Sequence, residues 1–91
     1  METIARLVQV SGRVQGVFFR AWTRDQARAL GIHGWVRNCP DGSVEAHLEG
    51  AEAAVDQMIE RMRSGPPAAN VDDLRAFDAK ACGFDRFEIR D

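Results

Sequence analysis

Ninety-one residues supply one hydrophobic core and no room for a second, so residues 1–91 are expected to form a single domain. A formal net charge of −2, from 12 basic and 14 acidic residues, argues against the basic face that nonspecific nucleic-acid binding requires. No apolar stretch is long enough to span a bilayer, and Met1-Glu2-Thr3-Ile4-Ala5-Arg6 is not a basic segment leading into an apolar one; a cytoplasmic protein with no membrane partner is expected.

Ile4 to Val10 reads as a strand, with β-branched Val8 and Val10 on one side and Gln9 on the other. Ser11-Gly12 is expected to end it. From Phe19 to Leu30, Phe19, Trp22, Ala27 and Leu30 recur at helical spacing while Arg24, Asp25 and Arg28 fall on the polar side. Gly31 is a suitable left-handed stop. Ile32 to Asn38 reads as a second strand, closed by the turn chemistry of Cys39-Pro40-Asp41-Gly42. Ser43 to Glu49 alternates, with Val44, Ala46 and Leu48 directed inward and Glu45, His47 and Glu49 outward. His47 is therefore expected to face solvent.

After Gly50, the residues Ala51, Val55, Met58, Ile59 and Met62 make the apolar stripe of a second helix, which Ser64-Gly65-Pro66-Pro67 terminates. The methionines suit gap filling against a sheet. Two weaker strands follow, at Val71–Phe77 and Phe87–Arg90, joined by a polar connection through Lys80 and Gly83. The order β-α-β-β-α-β plus a further strand predicts an α+β, ferredoxin-like sandwich: an antiparallel sheet of four to five strands with two helices on one face. That fold hosts unrelated functions, so chemistry must be argued from residues.

The strongest chemical signal is Gly12-Arg13-Val14-Gln15-Gly16-Val17-Phe18-Phe19-Arg20. A glycine-spaced turn feeding a helix start leaves backbone N–H groups unpaired at the positive end of the helix dipole, which suits an anion. The run lacks the Gly-Lys-Ser/Thr ending of a nucleotide P-loop. Eleven of the 12 basic residues are arginine, so only placement can single one out. Arg20 has such a placement: a cation at a helix start opposes the dipole unless an anion neutralises it. It reads either as a phosphate ligand or as a solvated surface arginine. Asn38 likewise either satisfies local backbone groups at a strand end or positions a water molecule. Cys39 and Cys82 lack the spacing of metal ligands or of a disulfide framework, and neither His33 nor His47 has a second ligand at helical or hairpin spacing.

Gly12 to Arg20, followed by Gly34-Trp35-Val36-Arg37-Asn38, resembles the two signature motifs of the acylphosphatases in order, separation and chain length. The resemblance extends through Gly65-Pro66 to Phe87-Glu88-Ile89-Arg90. It implies hydrolysis of carboxylic–phosphoric mixed anhydrides to a carboxylate and inorganic phosphate by a monomer, with no metal and no cofactor. It further implies that backbone N–H groups of Gln15, Gly16, Val17, Phe18, Phe19 and Arg20 wrap the phosphate, that the Arg20 side chain binds its oxygens, and that Asn38 orients the attacking water. The partners implied are a small-molecule acyl phosphate and inorganic phosphate as product and competitive ligand. Asp91 stands where the family often ends in tyrosine, and Cys39 replaces the commoner small hydroxyl residue. A noncatalytic anion-binding domain and the acylphosphatase-like module of larger carbamoyl-phosphate-processing proteins are the competing readings; the absence of any attached segment argues against the second.

Overall fold

The computed structural model describes residues 2–90. The elements in chain order are β1 (Thr3–Arg13), α1 (Phe19–Ala29), β2 (His33–Asn38), β3 (Val44–Ala51), α2 (Glu52–Ser64), β4 (Asn70–Ala79) and β5 (Phe87–Arg90). They build a five-stranded sheet in the order β4-β1-β3-β2-β5. Alternation selects the buried face: Val8 and Val10 of β1, Val36 of β2, and Val44, Ala46 and Leu48 of β3 join one apolar cluster. Phe19 and Ala27 of α1, and Val55, Met58, Ile59 and Met62 of α2, complete that cluster, so both helices cover the same side. Each large apolar side chain buried there stabilises the fold by roughly 1.5–3 kcal/mol.

The sheet is mixed, and the expectation of a wholly antiparallel one is corrected at its edge. β1 pairs antiparallel with β3 and β4, and β2 antiparallel with β3, but β5 lies parallel to β2. The connection from β4 must cross from one edge of the sheet to the other, and a chain that reverses once in doing so arrives running with β2. Nor does Ser11-Gly12 end β1. Gly12 has φ 119°, and the register against β4 shifts there while pairing continues to Arg13. Asp72 is skipped there, so the extra residue of the β-bulge lies in β4, opposite the Ser11–Gly12 step.

The outer face of the sheet departs furthest from the sequence pattern. His47 and Glu49 occupy the polar phase of β3, yet their relative exposures are only 6% and 3%. β3 is the central strand, and the β4–β5 connection passes over this face. The Trp35 ring stacks on His47 at 6.0 Å, and Phe84 meets the imidazole edge-on at 5.5 Å. Glu49 anchors the covering segment: its carboxylate accepts N–H bonds from Cys82, Gly83 (3.1 Å) and Phe84 (3.3 Å) and lies 2.6 Å from His47 Nε2. Burial pushes the Glu49 carboxyl up, but the Cys82 amide, the His47 ring and the Gly83 amide outweigh it, and the net direction is below the ordinary carboxylate value.

A depressed folded-state pKa stabilises the protein above the unfolded value, near 4.3 for Glu, and that contribution is lost as pH falls through the folded value. Glu49→Gln is expected to lower stability at pH 7 by about 2 kcal/mol, because an amide cannot accept every one of these donors. Urea unfolding from pH 7 to pH 3 should show a steeper acid loss in the wild type than in the variant. Parallel pH profiles would reject the anchoring role.

Candidate active site

β1 and β2 both run antiparallel to β3, so they point the same way and their C-terminal ends emerge side by side. Register sharpens this: Val44 pairs with Val10 on one flank and with Asn38 on the other. Residues 14–18 therefore leave β1 beside the end of β2 and lead into α1. Along that loop the sign of φ alternates. Gly16 (φ 73°) and Phe18 (φ 63°) are left-handed, while Gln15 and Val17 between and before them are not. Alternating hands turn successive N–H groups toward one side, the geometry of a backbone anion nest.

The start of α1 carries the features of an open positive end. Phe18 occupies the N-cap with no side-chain cap, and no acidic residue stands in the first turn. Trp22 N–H donates to Phe18 O at 3.0 Å. Among the described residues, no acceptor takes a hydrogen bond from the amides of residues 15–20.

The Gln15 side chain does different work from its backbone. Its Nε2 donates to the carbonyls of Cys39 and Ser43, each at 2.9 Å, tying the loop to the β2–β3 hairpin just beyond Asn38. The hairpin is itself closed by Cys39 N–H to Ser43 O (2.8 Å) and by the Asp41 carboxylate, which accepts from the Ser43 amide (2.9 Å) and hydroxyl (2.6 Å). These bonds hold the Asp41 carboxyl below its usual range.

Gly16, Phe18, Phe19, Arg20 and Asn38 line one cleft of about 320 Å³, together with Val14, Ala21 and Ile89. Two of the residues singled out in the loop are absent from its wall: Val17 is buried in the apolar core, and the Gln15 amide is turned into the hairpin. Arg20 and Asn38 are half-buried, and among the described residues neither side chain has an ion-pair or hydrogen-bond partner. Ile89 could not be assigned to the cleft from sequence, because only the parallel pairing of β5 with β2 brings it there. The clue available was its alternation with Glu88 and Arg90. Asp91 lies outside the described residues.

His47, Glu49 and Cys82 place potential metal-ligating atoms within 4.8 Å of one another, a grouping that helical or hairpin spacing along the chain does not reveal. Strand and loop meet there only in three dimensions. The Glu49 carboxylate already accepts three backbone bonds beside His47, so the group acts as the anchor described above.

A family model described as acylphosphatase matches residues 7–89. The chain belongs to the acylphosphatase family. It is 58% identical over 69 residues to an acylphosphatase from Rhodospirillum rubrum, covering 76% of each chain. With an acylphosphatase from Haloquadratum walsbyi it shares 54% identity over 83 residues, covering 91% of this chain and 89% of that one. The crystal structure of acylphosphatase from Bacillus subtilis aligns with a TM-score of 0.93 at 35% identity, covering 96% of this chain and 98% of its own. The chain is accordingly a hydrolase of acid anhydrides, acting on acyl phosphates, on a ferredoxin-like acylphosphatase fold.

Gln15→Ala removes both bonds between loop and hairpin and leaves two carbonyls with fewer donors. It is expected to lower stability by about 1–2 kcal/mol and to weaken inorganic phosphate binding several-fold, since the loop loses its support while its own amides are untouched. Isothermal titration with phosphate beside urea unfolding checks this. Undiminished phosphate affinity would show that the loop keeps its shape without the staple.

Proposed function

We propose that the cleft beside α1 is the acyl phosphate site and that backbone amides of Gln15 to Arg20, the Arg20 guanidinium and the Asn38 carboxamide perform the hydrolysis. The observation that carries this reading is the convergence of unpaired donors: Arg20 and Asn38, without protein partners among the described residues, face one cleft at an uncapped helix start. A substrate phosphate supplies the acceptors that this arrangement lacks.

The phosphoryl group binds in the loop, where N–H groups and the helix dipole oppose its negative charge. Arg20 adds a planar fork of donors matched to two phosphate oxygens. In the transition state charge spreads over the equatorial oxygens and the departing carboxylate, so fixed donors that need no reorganisation lower the barrier. The Asn38 carboxamide accepts from and donates to the attacking water and holds it in line with the scissile bond. Among the described residues lining the cleft there is no carboxylate, imidazole or thiol to serve as a strong base. We therefore assign the water's proton to a phosphate oxygen of the substrate. An acyl phosphate suits such a site because its carboxylate is already a good leaving group.

The wider reading is a cytoplasmic monomer, residues 1–91 acting as one domain, with inorganic phosphate as product and competitive ligand. Free Cys39 and Cys82 suit a reducing compartment, and no helix is long and apolar enough to cross a membrane among the described residues. The net charge of −2 offers no support for a nucleic-acid partner.

Arg20→Lys is expected to reduce kcat/KM for benzoyl phosphate by roughly 10²–10³-fold with unchanged far-UV circular dichroism, because an ammonium cannot reproduce the two-point contact. Near-normal turnover would show that Arg20 is misassigned. Asn38→Ala should lower kcat about 100-fold while phosphate inhibition changes little, separating water positioning from binding. Equal losses in kcat and in phosphate affinity would instead make Asn38 a phosphate ligand. Phosphate binding without any hydrolysis by the wild type would favour a noncatalytic anion-binding domain.

A further inference from the structure

Phe18 combines two features that folding leaves unexplained. Its side chain is large and apolar, yet the residue is 83% exposed. Its backbone is left-handed at φ 63°, the only positive φ of a non-glycine residue among those described. For a residue with a Cβ that conformation costs roughly 1–2 kcal/mol, and glycine would make the same turn without strain. The turn alone therefore gives no reason for a phenyl ring. Phe18 nevertheless lines the cleft, as does half-buried Ile89 from β5.

The rest of the wall has a consistent character. Ala21 adds apolar surface, Val14 and Phe19 back the wall from the core at 1% exposure each, and Arg20 is the only charged side chain lining the cleft among the described residues. If Arg20 and the loop amides take the phosphate, as proposed above, the acyl group joined to it through one oxygen must lie against what remains. Apart from Asn38, which the proposal gives to the water, what remains is apolar. A second carboxylate on the acyl group would find no free cation there. The volume of about 320 Å³ lies at the lower end for ligand pockets, which suits a ring or short branched chain beside the phosphate and not a long one.

The geometry points to an acyl subsite formed by Phe18 and Ile89 that selects small, uncharged apolar acyl groups, aromatic ones above all. Phe18 supplies a ring face at the cleft mouth that a planar acyl group covers, and Ile89 supports that group from the β5 side. The side chain of Phe18 thereby has a role separate from the phosphate contact proposed for its backbone N–H. This inference rests on the phosphate reading of the same cleft.

The test compares kcat/KM for benzoyl, acetyl and succinyl phosphate in the wild type, Phe18→Ala, Phe18→Leu and Ile89→Ala. The wild type is expected to favour benzoyl over acetyl phosphate about tenfold, from the apolar area the ring covers. Succinyl phosphate should gain nothing over acetyl phosphate despite its larger acyl group. Phe18→Ala should cut the benzoyl-to-acetyl ratio roughly three- to tenfold, with Phe18→Leu in between and Ile89→Ala lowering it also. The ratio reads the acyl contact independently of any common loss in phosphate handling or folded fraction. Hydrolysis with an unchanged ratio in both alanine variants, or succinyl phosphate matching benzoyl phosphate in the wild type, overturns the subsite and leaves the hydrolase assignment of the cleft standing. Failure of the wild type to hydrolyse any of the three overturns that assignment, and the subsite with it.

Discussion

The pairing of β3 with two strands at once is the constraint on which the remaining architecture depends. Since β1 and β2 flank it and both run against it, their C-terminal ends are compelled to emerge together, with Val10 and Asn38 on either side of Val44. A slip of one residue on either flank would also exchange the faces of the strand and carry its apolar set away from the helices. The same register that buries Val8, Val10, Val36 and Ala46 thus sets the spacing of loop and hairpin at the cleft. Stability and site geometry are fixed by one set of contacts.

Polar groups are handled oppositely at the two sides of this sheet. On the outer face, Glu49 is nearly inaccessible and fully engaged, accepting backbone donors from the segment that leads to β5. A buried carboxylate is tolerated only with such compensation. At the end of the sheet, the first turn of α1 and the side chains of Arg20 and Asn38 are left without protein partners among the described residues. The half-buried side chains of Arg20 and Asn38 retain access to water, which satisfies them in the absence of another acceptor. The contrast separates a structural anchor, whose donors are all engaged, from a cleft whose donors stay open, although both consist of N–H groups and charge.

Between them, the Gln15 staple lets a loop of unpaired amides keep a defined shape. Its side chain spends two hydrogen bonds on the hairpin, so the backbone groups of residues 15–20 need not be used to hold the loop in place. Phe19 contributes from the other side: its ring is buried at 1% exposure and touches Trp22 edge-on at 5.5 Å, anchoring the helix start in the core. Consecutive phenylalanines consequently have opposite fates. Phe19 is part of the core, while Phe18, turned by its left-handed backbone, stands at the surface.

Local periodicity was enough to place both helices, because each owns an apolar stripe whose spacing has no reasonable alternative: Phe19 and Ala27 in one, Val55, Met58, Ile59 and Met62 in the other. The glycine-spaced loop before Arg20 and the strand ending at Asn38 were equally legible, as they depend on turn chemistry and short-range order. What chain order could not disclose were relations between distant segments. The burial of His47 and Glu49 depends on a covering loop more than 30 residues away, so the alternation of β3 misleads when read by itself. The physical need for glycine at position 34 shows only once β3 is present, when any Cβ would lie 1.8 Å from the His47 carbonyl oxygen. The parallel arrival of β5, and with it Ile89 in the cleft, is decided by a crossover around the sheet. Amino-acid order by itself determined which segments would be helix, strand and glycine-spaced turn, since those follow from neighbours along the chain. Only tertiary packing decided which polar groups would be engaged and which left open, since a donor's partner is set by what lies near it in space.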